Sequence, residues 1–148
     1  MSLESDIKSL VKSVNMELYD ISTVSEFEET IYRISVLSSE IVDDKRSSVG
    51  LDECANLSRM ISPLLDVTPP VSGDYRLEVG SAGIERKLNT LKQFSLSIGE
   101  KLSLVLEGKI KVKATLLKVK DSKIFLDDEE YKEIDYSQIL KAKTYFEW

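Results

Sequence analysis

The sequence contains no histidine, and it has one cysteine (Cys54), one tryptophan and three prolines among 148 residues. Each shortage excludes something. Without imidazole, the usual general base near neutral pH and the commonest metal ligand are both missing. Ser-His-Asp and Cys-His catalysis are thereby excluded, as are histidine-containing zinc sites. One cysteine forms no internal disulfide, which fits a reducing compartment. Long apolar runs are missing too. The longest stretches free of charge are seven residues, at 67–73 and 93–99, whereas a membrane helix needs about 18. Glu4 and Asp6 stand where a secretory leader would be basic and then apolar. The expectation is a soluble cytoplasmic protein with no membrane partner. It would be a binding protein, or an enzyme restricted to carboxylates, lysines and hydroxyls.

Twenty basic and 26 acidic side chains give a formal charge of −6. Coating nucleic acid by bulk charge needs a basic surface, so the total speaks against that mode. The charge is unevenly placed, however. Residues 1–92 carry 10 basic and 16 acidic side chains, while 93–120 carry six lysines and two glutamates, a net of +4. Residues 121–148 return to −4, with four lysines and eight acids. One basic strip in an acidic background can steer a partner more than the average implies.

The opening reads as an amphipathic helix, with Leu3, Ile7, Leu10, Val11 and Val14 at helical spacing and Ser2 as its cap. Met16 to Ile21 switches to a strand pattern, with Met16 and Leu18 on one face and Tyr19 and Ile21 on the other. A polar connection over 22–29 precedes a second strand over 30–37, and 38–48 reads as a loop with a charge run at Asp43, Asp44, Lys45 and Arg46. A second helix over 51–65 carries Leu51, Cys54, Ala55, Leu57, Ser58, Ile61, Leu64 and Leu65 as its core stripe, with Gly50 as cap and Pro63 making the last turn irregular. A third strand follows at 75–79. The order α-β-β-α-β points to a small sheet with helices packed on one face.

After residue 92 the texture changes. A helical turn at 90–94 precedes strand-like stretches at about 101–106, 110–120, 123–127, 131–135 and 141–146. Five short strands in so little chain suggest a small closed or nearly closed β-barrel. The expected fold class is therefore α+β, with an α/β domain over 1–90 and a small barrel domain over 91–148. The second barrel strand carries a defect. Lys109, Lys111 and Lys113 place the polar face at odd positions, whereas Lys118 and Lys120 are even. One register cannot hold both patterns, so a bulge or bend is expected between Ala114 and Leu117.

Candidate chemistry is sparse. Cys54 falls on an apolar helix stripe and reads as a small buried side chain. Asp127 to Glu130 lack the spaced ligands and glycine of a calcium loop and read as a solvated hairpin tip. Gly80-Ser81-Ala82-Gly83 follows a strand but lacks the lysine of a Walker loop and the third glycine of a dinucleotide loop, so it reads first as a turn with two permissive glycines. A sharper reading has Ser81, Arg86 and Lys87 forming a recognition corner with exposed backbone N–H groups. Lys109, Lys111 and Lys113, joined by Lys101 or by Lys118 and Lys120, could contact RNA phosphates. They could equally be a solvated face that guards a sheet edge.

The segment Leu77-Glu78-Val79-Gly80-Ser81-Ala82-Gly83-Ile84-Glu85-Arg86-Lys87-Leu88 resembles the ribosome maturation factor RimP family, whose strand ends in LEVSSPG followed by two residues and Arg-Pro-Leu. Ser81, Gly83, Arg86 and Leu88 match, while Gly80, Ala82 and Lys87 replace a serine and two prolines. The resemblance extends to Leu51–Ala55, Ser58-Arg59 and Leu65–Val67, and to Phe94 and Ile98-Gly99. It implies a KH-like first domain and an Sm-like or SH3-like barrel. It also implies a non-enzymatic role: binding the immature small ribosomal subunit, meaning rRNA and basic ribosomal proteins, and assisting late assembly around the central pseudoknot and decoding region. The expected contacts are Ser81, Gly83, Arg86, Lys87, Lys109, Lys111 and Lys113, with no cofactor, no metal and a monomeric chain. A rival reading is a protein-only adaptor whose barrel binds a peptide or protein partner.

Overall fold

The structure is a computed structural model that describes residues 2–42, 45–83 and 85–145. The chain divides into two compact units, Met1–Ala82 and Gly83–Trp148, so the segment 83–90 falls within the second.

In the first unit, helix α1 (Leu3–Ser13) starts where the Ser2 hydroxyl accepts the Ser5 N–H at 3.1 Å, and it buries Ile7 and Val11. Strands β1 (Met16–Glu26) and β2 (Glu29–Ser38) form one antiparallel hairpin that turns at Phe27-Glu28. The polar stretch 22–29 is therefore sheet and turn, not a connection. Its Thr23, Val24 and Thr30 favour a pleated strand as much as a loop. A bulge between Leu18 and Asp20 breaks the register. It absorbs Tyr19 and brings Ile21 onto the face of Met16 and Leu18, opposite to the alternation expected from the sequence.

A two-residue ribbon, β3 (Ile41–Val42) with β4 (Lys45–Arg46), occupies the expected loop. Asp43 and Asp44 of its charge run lie outside the described residues. Helix α2 (Leu51–Val67) begins at Gly50, whose N–H donates to Glu53 Oε1 at 3.1 Å, and it buries Cys54, Leu57, Ile61 and Leu65. Leu51 and Ala55, expected on that stripe, are exposed. The helix continues past Pro63, which sits on the solvent face, where water can satisfy the carbonyl its missing N–H leaves open. Strand β5 (Arg76–Ser81) returns parallel to β2, giving the sheet order β1-β2-β5. Tyr32, Ile34 and Val36 pack in one core with residues of both helices. Gly80 pairs with Ser35 inside this sheet, so only Gly83, at φ 81°, is a permissive glycine in the Gly80–Gly83 loop.

The second unit opens with a short helix α3 (Leu91–Ser95), capped by the Thr90 hydroxyl, which buries Phe94 completely. Five strands follow: β6 (Lys101–Leu106), β7 (Ile110–Lys120), β8 (Lys123–Asp127), β9 (Glu133–Asp135) and β10 (Ile139–Thr144). Their order is β10-β6-β7-β8-β9. Leu102, Leu104, Leu106, Val112, Ala114, Leu116, Ile124, Leu126, Ile134 and Ala142 alternate along them and are buried. The expected barrel closure is not found. Among the described residues β9 and β10 stay unpaired with each other, and the sheet is open. Two features explain this. Strand β9 is only three residues long before a 3₁₀ turn over Tyr136–Gln138. The outer edge of β10 is already occupied by residues 86–88, through Leu88 N–H to Ala142 O and Thr144 N–H to Arg86 O, both 2.9 Å.

Candidate nucleic-acid interface

Residues directly opposite on paired strands project to the same face. That rule builds a basic surface on the side of the five-stranded sheet away from its buried leucines. Lys87 bridges Lys143, Lys143 pairs with Ser103, and Ser103 pairs with Lys113. One row thus carries three lysines across four lengths of chain. The neighbouring row runs Lys141, Val105, Lys111. Lys101 opposite Thr115 begins a third.

Beyond Thr115 the expected defect is present. A register shift between Leu116 and Lys118 leaves Leu117 as the extra residue, 54% exposed. The shift inverts parity, so Lys118 and Lys120 join Lys111 and Lys113 on one face while Val119 pairs with the buried Ile124. A second bulge, between Ile139 and Lys141, sets Lys141 and Lys143 on that face too.

The face is graded in charge. Its acids, Asp127, Glu133 and Asp135, lie toward the β8–β9 side. There Lys123 donates to Glu133 at 2.9 Å, and that hydrogen bond, ahead of the nearby acids, raises the lysine's pKa. Lys113 Nζ lies 5.1 Å from the Tyr145 ring centroid, away from these acids, and Lys118 Nζ lies 4.7 Å from the ring centroid of Phe125, the β8 residue paired with Glu133. Ammonium groups over both rings occupy faces on which bases would stack. The arrangement is chemically suited to a run of phosphates and poorly suited to splayed bases. Beside β10 a cleft of ≈ 740 Å³ has Lys87, Lys141 and Lys143 among its lining, with Phe94, Val105 and Ile139.

The residues singled out from the sequence fall in different places. Lys111, Lys113 and Lys87 are exposed and share the face. Lys109 does not: it sits after Gly108 in the β6–β7 turn at φ 60°, outside the strand. Ser81 ends β5, in the first unit. Arg86 is buried, with its side chain 4% exposed, rather than open to a phosphate. Its guanidinium forks onto both oxygens of Glu100 (3.1 and 2.5 Å) and also donates to Ser97 Oγ (2.8 Å) and Gly83 O (2.9 Å). Its own N–H donates to Thr144 Oγ1 at 2.9 Å. Gly83 and Arg86 thus hold the backbone that carries Lys87 beside β10.

Lys141 and Lys143 were missed by the sequence reading. The signal was there, because Lys141-Ala142-Lys143 repeats the pattern of Lys111-Val112-Lys113, but the surrounding acids hid it. Elsewhere, burial, then Glu53, raises the Cys54 thiol pKa. One Asp128 carboxylate oxygen accepts the N–H groups of Glu130 and Tyr131 at 3.0 and 2.7 Å, tying it to its own turn.

Residues 6–85 match the family model described as the RimP N-terminal domain. The match takes in more than half of the chain and runs from within α1 to beyond the end of β5. With that match on the segment that carries the LEV-x-S-x-G resemblance, the chain belongs to the RimP family, whose role is ribosome maturation.

Proposed function

We propose that the protein binds the immature small ribosomal subunit and assists its late assembly without catalysing a reaction, acting as a cytoplasmic monomer. The lysine face of the second unit carries this reading. Lys87, Lys101, Lys111, Lys113, Lys118, Lys120, Lys141 and Lys143 would contact rRNA phosphates as point charges, and the acidic first unit would meet basic ribosomal proteins. In this reading Arg86 and Gly83 position Lys87, and Lys109 adds charge from the turn. The α-β-β-α-β order supports a KH-like first domain. A short helix before the strand order β10-β6-β7-β8-β9 supports an Sm-like second one. Binding an intermediate more tightly than the finished particle would hold a partly folded site open.

Co-sedimentation of purified protein with immature and mature small subunits tests the proposal. A preference for the immature particle is expected, and equal binding to both would sink it. Reversing Lys111 and Lys113 to glutamate should weaken that binding by about tenfold or more and flatten its salt dependence. The apolar part of the cleft beside β10 favours the adaptor reading instead. That reading expects weak salt dependence, no RNA crosslinks and no effect of the charge reversal.

A further inference from the structure

The β1–β2 hairpin ends in a two-residue turn, Phe27-Glu28, closed by the pair Glu26 and Glu29. Both turn residues have positive φ, 49° and 65°, as a type I′ hairpin turn requires. Asn-Gly and Asp-Gly are favoured there because a bulky side chain at positive φ is strained. Among the described residues, the two-residue turn between β7 and β8 follows that preference more closely, placing Asp121 and Ser122 at φ 53° and 61°. Phe27 departs from it, and its side chain returns nothing to the fold, since it is 98% exposed. A strained backbone and an unburied ring at one protruding tip mark a position whose local rule is broken for a reason outside the folded unit.

The surroundings say what kind of partner would use it. Three of the four residues at the tip are glutamates. Glu26 and Glu29 also lie 3.4 and 3.6 Å from Arg33 and Arg76, while Glu28 is exposed beside the ring. Phosphate backbones and anionic lipid surfaces are repelled by this charge. A basic protein with an apolar pocket is attracted, and a rigid aromatic entering such a pocket is a recurrent anchor of protein interfaces.

We propose that Phe27 is the anchor by which the first unit docks on a basic ribosomal protein, with Glu28 pairing to cations around the pocket. This rests on the ribosomal role proposed above and adds to it a protein-binding site separate from the lysine face.

The test titrates the full-length chain against individually purified small-subunit ribosomal proteins, and separately against protein-free small-subunit rRNA, at about 0.15 M salt. The wild type should bind at least one of the basic proteins. Phe27→Asn should weaken that binding by about tenfold or more, leave rRNA binding unchanged and raise the melting temperature, because Asn tolerates positive φ. Glu28→Lys should weaken the same complex. Three results overturn the proposal: no ribosomal protein binds the wild type, Phe27→Asn binds as the wild type does, or its loss is equal on rRNA. Failure of the immature-subunit preference, with the Phe27 effect intact, would remove the assembly role and leave this contact standing.

Discussion

Arg86 holds both oxygens of Glu100, a buried serine hydroxyl and a loop carbonyl from one planar group. Removing one partner of a buried ion pair costs about 3–5 kcal/mol, because the other is left without compensation. Glu100 is 32% exposed and can partly rehydrate, so Arg86→Ala should cost about 3 kcal/mol, the lower end of that range. Arg86→Lys keeps the charge but not the fork and should recover only part of it. Urea denaturation of the variants measures both effects. Two groups of the first unit respond to alkali in one direction. Burial, then Glu53, raises the Cys54 thiol pKa, and burial, then Glu4 and Tyr75, raises that of the Tyr32 hydroxyl. Each holds its proton more tightly folded than unfolded, so stability is complete below the ordinary pKa values and falls as the pH rises through them. The urea midpoint should therefore drop between neutral pH and about pH 10. Native Cys54 should also alkylate far more slowly than the unfolded thiol.

Strand β7 keeps its charge on one side only because Leu117 is an extra residue. Deleting Leu117 would restore simple alternation from Lys111 to Lys120, with Lys118 and Lys120 still on the solvent face and Val119 still opposite Ile124. The second unit should then still fold with its lysine face intact, as far-UV circular dichroism and amide dispersion would report. Leu117→Thr keeps the bulge and should change stability by no more than about 0.5 kcal/mol. This bulge was legible in the sequence because lysines mark the solvent face and visibly change parity. Its counterpart at Tyr19 was not, since a tyrosine sits on either side of a sheet with little penalty. The helices were legible from their periodicity, yet the α2 stripe extended too far at Leu51, where an apolar residue in the first turn met no opposing element. Sheet closure was misjudged because the partner of β10 comes from residues 86–88, more than fifty positions away, and no local pattern announces such a pairing.

Across the whole molecule, the net charge of −6 divides very unequally at the boundary between the two units. Residues 1–82 hold seven basic and fifteen acidic side chains, a net of −8, and residues 83–148 hold thirteen and eleven, a net of +2. Counting along the chain found a basic strip followed by an acidic one. Strand order redraws that map, because β10 lies beside β6 and its lysines join those of β7, while β8 and β9 carry the acids away. If eight lysines meet phosphates, affinity for the immature subunit should fall steeply between about 50 and 200 mM salt. Each Lys→Ala on the face should lower the log-log slope by about one, whereas Lys109→Ala should lower it less. The bridge that residues 86–88 make along β10 also governs how the protein can be cut. A fragment beginning at residue 83 retains the cover over β10 and should be soluble and dispersed. One beginning at residue 91 leaves that edge bare, with its backbone donors and acceptors open to another copy. It should assemble through the exposed strand, and size-exclusion chromatography of the two fragments would reveal the difference.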